Sequence, residues 1–292
     1  MILRLKLKTI NKYLMNIKNI TFLSGTRADF GKIKSLIDEL KKDKNFNVNI
    51  FATGMHLQKE YGYTINEILN YNYKNVYQFM NHGFNSRMEI SLSKTIEGFS
   101  SFVQENSTDL VIVHGDRSEA LAGAIVGAFN NILVSHIEGG EVSGTIDELI
   151  RHSVSKMSHT HFVSNISAKK RLKQMGENEK NIFVIGSPDI DIMFSKNLPS
   201  LDEVKKKYEF SFENYAVVMF HPITTEIKNI DEYSKNLISS LIESNLNYIV
   251  IYPNNDLGSF KIIDNFSVIR NNNKFRIYPS ISLEHFLVLL KN

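Results

Sequence analysis

The 292-residue chain contains no cysteine, no tryptophan and only five prolines. Without cysteine there is no disulfide framework, no thiolate metal site and no cysteine nucleophile. That lack suits a reducing, cytoplasmic setting. No apolar run approaches the roughly 18 residues of a transmembrane helix, so no membrane association is expected. A secretory signal is not expected either: Arg4, Lys6 and Lys8 break every apolar run in MILRLKLKTINKYL, and residues 1–14 read as an N-terminal extension. An excess of one charge is also missing. Lys and Arg number 34 against 31 Asp and Glu, and a dispersed net charge of +3 gives no footprint for nucleic acid. What is present is an ordinary globular mix, 42% hydrophobic and 22% charged. At roughly 150 residues per domain, the length suits one large or two medium domains.

Short apolar runs alternate with longer periodic segments. Strands are predicted at Ile17–Ser24, Val48–Ala52, Leu110–His114, Ile132–Glu138, His161–Val163 and Ile182–Ile185. Helices are predicted at Lys32–Lys42, Tyr63–Asn70, Ile90–Gln104, Ser118–Phe129, Thr145–Met157 and Ser167–Met175, the fourth so rich in Ala and Gly that it must pack closely. Strands without polar alternation, separated by helices, imply a parallel sheet covered on both faces. Residues 15–196 therefore read as a doubly wound, Rossmann-like α/β domain. A polar linker with one short helix follows over 197–214. A second αβ series, 215–292, has strands at Ala216–Phe220, Tyr248–Tyr252 and Phe275–Tyr278, with helices at Asp231–Glu243 and Leu283–Lys291. Three strands are fewer than the five or six usual for such a domain, so this one is expected to be incomplete.

Ligands of such sheets sit at the carboxyl ends of the strands, so chemistry is sought in those turns. The first is Ser24-Gly25-Thr26-Arg27-Ala28-Asp29. Gly25 permits a tight turn, Thr26 and Asp29 can cap a helix, and Arg27 can pair with a phosphate. Its glycine spacing is not the dinucleotide fingerprint. The third strand runs into His114-Gly115-Asp116-Arg117, which puts a carboxylate on the ligand edge; His114 by itself reads as a structural histidine. The richest turn is His136 to Glu148, with four carboxylates in eleven positions and glycines 139, 140 and 144, which let the backbone approach a ligand. Thr145 and Glu148 have capping-box spacing, which assigns Glu148 to structure. Asp147 sits where the helix dipole favours an anion, or pairs with Arg151 four residues on. Glu138 has no such local partner and is placed in the cleft. Asp116, Glu138 and Asp147 could converge there, and convergent carboxylates can divide acid from base duties. His221, after the first strand of the second series, could serve as a hydrogen-bond partner or an acid, and Asn254 lies in another strand-end turn. No metal-ligand spacing occurs: there is no H-E-x-x-H and no close His/Asp cluster.

Taken in order, SGTRADFGKIK (24–34), ATGMHL (52–57), VHGDR (113–117), HIEGGEVSGTIDELIRH (136–152), FVSN (162–165), VIGSPDID (184–191) and FHPITTE (220–226) resemble the hydrolysing nucleotide-sugar 2-epimerases. The resemblance runs from about Met15 to the last residue. It implies a two-domain fold like that of the GT-B glycosyltransferases, a UDP-sugar substrate in the interdomain cleft, no metal or redox cofactor, and a homo-oligomer, dimer or tetramer. It implies elimination of UDP across C1–C2 of UDP-N-acetylglucosamine to a glycal, then hydration that inverts C2 and yields N-acetylmannosamine. It points to Asp116, Glu138 and Asp147 as the acid/base group with His221 as helper, Arg27 at the nucleotide phosphates and Arg151 near the site. The stretches KIKSLI and YPNNDLG look closer to relatives that act on UDP-2,4-diacetamido-2,4,6-trideoxy sugars of legionaminic acid pathways. The family's nucleotide-gripping Gly-Asn-Ser-Ser turn would follow the Leu283–Lys291 helix, and the sequence ends at Asn292 before it. The rival expectations are a GT-B glycosyltransferase, which needs an acceptor, and a truncated, non-catalytic fragment.

Overall fold

The computed structural model describes residues 18–81, 83, 87–223 and 225–292; the expected extension 1–14 and the start of the first strand lie outside them. The chain runs β1 (Asn19–Ser24), α1 (Arg27–Leu40), β2 (Asn47–Ala52), α2 (Ile65–Asn70), β3 (Asn75–Gln78), α3 (Met88–Glu105), β4 (Leu110–His114), α4 (Ser118–Phe129), β5 (Leu133–Ile137), α5 (Ile146–Lys156), β6 (Thr160–Val163), α6 (Ile166–Gln174), β7 (Ile182–Val184) and the short α7 (Ile190–Met193). It continues with α8 (Leu201–Lys207), β8 (Ala216–Met219), α9 (Ile230–Ser244), β9 (Tyr248–Ile251), α10 (Ser259–Asn265), β10 (Phe275–Tyr278) and α11 (Leu283–Lys291).

The first seven strands form one parallel sheet in the order β3-β2-β1-β4-β5-β6-β7. Successive strand residues point to opposite faces, so β1 sends Ile20 and Phe22 into one apolar layer with Phe30, Ile33 and Ile37 of α1. Leu23 goes into the other layer, with Phe99 and Phe102 of α3 and Val111 and Val113 of β4. Phe22 is fully buried in the middle of the sheet. We expect Phe22→Ala to cost about 3–5 kcal/mol in chemical denaturation, the loss typical of a large buried side chain that leaves a cavity. The Ala/Gly-rich α4 does pack closely: a Cβ on Gly123 would lie 2.8 Å from Val113, and one on Gly127 2.5 Å from Val134.

Strand β3 was not expected. It is a four-residue edge strand, Asn-Val-Tyr-Gln, with no fully buried residue, so it lacks the apolar run that marked its neighbours. It exists because β2 offers an open parallel edge. Helix α1 begins at Arg27, five residues before the expected Lys32, because Thr26 and Asp29 form a reciprocal capping box at its start.

The second sheet is parallel, in the order β10-β9-β8. One of its faces is covered by α9 and α10 through Ile230, Ile238 and Ile262, and by Phe266 just after α10. The other is covered by α11 together with Val204 of α8 and Phe210, so the segment expected as a linker packs onto this sheet. Side-chain contacts join the two units. Glu284 of α11 accepts from Lys34 of α1 (2.9 Å) and from Tyr71 (3.2 Å), and Tyr61 meets Ser259 (3.2 Å). No described helix is long and apolar enough to cross a membrane.

Candidate active site

Sheet order places the site. From β1 the chain builds outward to β2 and β3, whereas β4 pairs on the other side of β1. The turns leaving β1 and β4 therefore diverge, and a crevice opens between them at the carboxyl ends of the strands. The second sheet faces it, and the resulting cleft has a volume of about 430 Å³. From the first sheet it is lined by Thr26, Arg27, Asp29 and Lys32, by the His114–Arg117 turn, and by Glu138, Glu141, Asp147 and Arg151. From the second it is lined by Met219, His221, Asn254 and Asp256, among others. The three expected carboxylates, His221, Thr26, Arg27, Arg151 and Asn254 are thus all brought to one cavity. Gly25 is not among its walls; it sits behind Thr26, where a Cβ would lie 2.9 Å from the Glu119 side chain. A larger hollow of about 670 Å³ runs along α6 and β7. It is lined by Lys169, Lys170, Lys173 and Lys180 with one carboxylate, Glu179, already paired to Lys173 at 2.7 Å, and offers no acid–base set.

Glu138 is the centre of the site. It follows β5 with φ +62°, a left-handed conformation that costs a non-glycine residue free energy and is held by its surroundings. Its own N–H donates to Phe162 O at 2.8 Å. Lys32 donates to Oε2 at 2.7 Å, His114 Nε2 lies 3.0 Å from the same oxygen, and Ser187 donates to Oε1 at 2.6 Å. Burial pushes this carboxyl up, but the donors His114, Lys32 and Ser187 together outweigh burial and hold it far below the usual carboxylate range. Glu138 is therefore ionised at neutral pH.

Asp116 does not stand free. Arg151 donates to its Oδ2 and also reaches Ser143 at 3.3 Å. The alternative pairing of Arg151 with Asp147, four residues apart on α5, is thus not the one formed. Asp147 instead accepts from the Thr145 hydroxyl at 2.9 Å. Thr145 caps α5 by accepting from the Asp147 amide, and Glu148 folds back to take the amides of Ser143 and Gly144, both at 2.9 Å, so the capping box expected of Thr145 and Glu148 does not form, although Glu148 is used by its own turn. Those two backbone donors lower its pKa. His221 Nδ1 accepts from the Asn254 amide at 3.2 Å, so its proton is carried on Nε2. Asn254 in turn donates to Asp256 at 2.6 Å. Burial lowers the pKa of Arg27, which also feels Glu67 and Glu284 at the seam between the sheets. Burial raises Glu67 to about 7 despite Arg27.

One expectation changes. Gly139 and Gly140 serve contacts with protein rather than ligand approach: a Cβ would lie 2.7 Å from His136 and Ser155 in the first case, and 2.6 Å from Ala168 O in the second. His136 lies beneath the turn, donating to Gly115 O at 2.7 Å and facing Ser155 at 2.9 Å, and burial lowers its pKa to about 3. It is a neutral structural histidine. The sequence reasoning passed over Lys32, Ser187 and Arg117 as site residues. Starting α1 at the capping box would have put Asp29 and Lys32 one turn apart on the helix end that meets the cleft. Arg117 crosses to the second sheet, where it bonds Asn255 and lies 3.7 Å from Asp256. Among the described residues no group of three or more His, Asp or Glu is arranged to hold a metal ion.

A family profile described as UDP-N-acetylglucosamine 2-epimerase matches residues 38–292. The UDP-N-acetylglucosamine 2-epimerase of Neisseria meningitidis serogroup B is 47% identical over 276 residues, covering 94% of this chain and 73% of that protein. The hydrolysing UDP-N,N'-diacetylbacillosamine 2-epimerase of Legionella pneumophila is 32% identical, covering 94% and 74%. Among solved structures, the Methanocaldococcus jannaschii UDP-GlcNAc 2-epimerase in complex with UDP-GlcNAc and UDP superposes with TM-score 0.77 at 23% identity, covering 94% of this chain and 76% of that one. The N. meningitidis UDP-GlcNAc 2-epimerase bound to UDP-GlcNAc gives 0.71 at 19% identity, covering 94% and 75%. The fold shared with these structures is α/β and GT-B-like.

Proposed function

The chain belongs to the UDP-N-acetylglucosamine 2-epimerase family, and on that premise we propose that it converts UDP-N-acetylglucosamine and water to N-acetylmannosamine and UDP. The observation that carries this reading is the single cleft in which Asp116, Glu138 and Asp147, from separate turns, meet His221 of the second sheet. The reaction begins with loss of the C2 proton and breakage of the bond from C1 to the phosphate oxygen, which leaves a glycal and UDP. Water then adds to C1, and a proton returns to C2 on the other face. One group must take a proton, one must assist the departing phosphate, and one must return a proton. Glu138 is ionised and therefore able to accept a proton, and is assigned the first duty. Asp116, Asp147 and His221 supply the others, and Thr26, Arg27, Arg151 and Asn254 are assigned to the nucleotide and sugar, with Gly25 shaping the turn behind them. The same reading takes 15–196 and 215–292 as two domains joined through 197–214, in a cytoplasmic homo-oligomer.

A second donor, a UDP-2,4-diacetamido-2,4,6-trideoxyglucose, is supported by the L. pneumophila relative and by the YPNNDLG turn. The 47% identity to the meningococcal enzyme favours the N-acetylglucosamine donor. Incubation with each donor in the absence of any acceptor, with UDP and free sugar measured, decides between them. We expect UDP and N-acetylmannosamine in equal amounts from the first donor, and slower release from the second. UDP release only on addition of an acceptor would identify a glycosyltransferase instead.

A further inference from the structure

Two of the three donors to Glu138 differ in kind. Both line the cleft, but Lys32 is 29% exposed, whereas the His114 side chain is only 8% exposed. Beyond Glu138, the other ring nitrogen of His114 faces a second carboxylate: Nδ1 lies 3.7 Å from Asp29 Oδ1 and has no hydrogen-bond partner among the described residues. Asp29 is itself fixed, because its Oδ2 accepts from the amides of Gly25 (3.2 Å) and Thr26 (3.1 Å). A neutral imidazole has one N–H and leaves one of the two carboxylates facing a lone pair; an imidazolium presents an N–H to each. Lone pair against carboxylate in a buried site is repulsive, so the geometry selects the charged ring.

We propose that His114, backed by Asp29, is the positioning residue for Glu138, an imidazolium that stays doubly protonated during turnover and keeps the Glu138 carboxylate ionised and aimed into the cleft. This rests on the role of Glu138 in proton transfer given above. The groups around the ring agree with it. Asp29 and Lys32 come from α1, Glu138 follows β5, neutral His136 lies on β5, and Arg117 leads into α4; His56 feels Asp29 but is held neutral, burial lowering its pKa to about 4. Burial alone would lower the pKa of His114, and the facing carboxylates Asp29 and Glu138 more than reverse this. The sign follows. The ring is charged below its raised pKa, and as pH rises through that value Glu138 loses the support of the imidazolium. Activity therefore falls on the basic side.

The test compares the wild-type chain with His114→Gln, His114→Ala and Glu138→Gln, all first checked for a wild-type circular dichroism spectrum. We expect kcat to fall on the order of 10²-fold in His114→Ala, the cost typical of a misplaced reacting group, with KM little changed, and His114→Gln, which retains a donor, to recover part of it. The basic limb of the kcat–pH profile, which reports the His114 ring, should be lost in both. In ¹⁵N-histidine NMR, read on wild type and Glu138→Gln whether or not the His114 variants fold, the His114 ring should titrate above 6.5, and at a lower pH once Glu138 is neutral. A His114 midpoint at or below 6.5, or unchanged kcat and pH profile in a folded His114→Ala, overturns the proposal. Full turnover in Glu138→Gln would overturn the functional reading itself, a result distinguishable from failure at His114 alone.

Discussion

Glu138→Gln is expected to lower turnover on the order of 10²–10⁴-fold, the contribution typical of a group that transfers a proton in the transition state. The substitution is isosteric. An amide oxygen can still accept from Lys32 and His114, and the amide N–H₂ can donate to the Ser187 hydroxyl, so the hydrogen bonds around the side chain can be largely kept. What it removes is basicity. It also strips two cations of the counter-ion they share, and breaking a half-buried charge network lowers stability. A thermal melt alongside the assay separates the two effects: a folded variant with near-normal turnover would take Glu138 out of proton transfer, and a folded, inactive one with unchanged substrate affinity would place the loss in the chemical step.

The second large effect concerns the turn that carries Glu138. Gly140 has φ +78°, and a Cβ there would stand 2.6 Å from the Ala168 carbonyl oxygen, a backbone atom of α6 that cannot rotate away. Gly140→Ala is expected to cost about 2–4 kcal/mol, left-handed strain plus the shift forced on α6, and to lower turnover because the displaced turn begins two residues after Glu138. Gly144 has nearly the same backbone, φ +68°, but nothing within 4 Å of the added Cβ. Gly144→Ala should therefore show the strain alone, about 1–2 kcal/mol. Denaturant titration of the pair reads the difference. Equal losses would mean that α6 yields freely and that the turn is not braced by it.

Read from sequence, the two sheets were largely legible because a strand buried on both faces must be a short apolar run, and β4, LVIVH, is recovered to the residue. The same reason hid β3, whose Asn-Val-Tyr-Gln is half exposed at a sheet edge. Local chemistry was legible too. The capping capacity of Thr26 and Asp29, the structural use of Glu148, though by the amides of Ser143 and Gly144 and not by Thr145, and the place of Glu138 at the end of an apolar strand all concern residues within about five positions of each other. Where a local and a distant partner competed, locality misled: Arg151 had Asp147 one helical turn away, but bonds Asp116, 35 residues back, because the turn after β4 lies against α5.

The chain by itself thus determined nearly all of the elements, edge strand β3 excepted, their order, and which carboxylates stand at strand ends. Tertiary structure alone decided what surrounds them. Glu138 takes its charge state from His114, Ser187 and Lys32, at sequence separations of 24, 49 and 106. Periodicities of 2 and 3.6 residues record which face a side chain occupies, and not which strand its neighbour comes from. That is set by the order in which strands pair about β1, and the crevice opened by that order makes one cleft of these scattered turns.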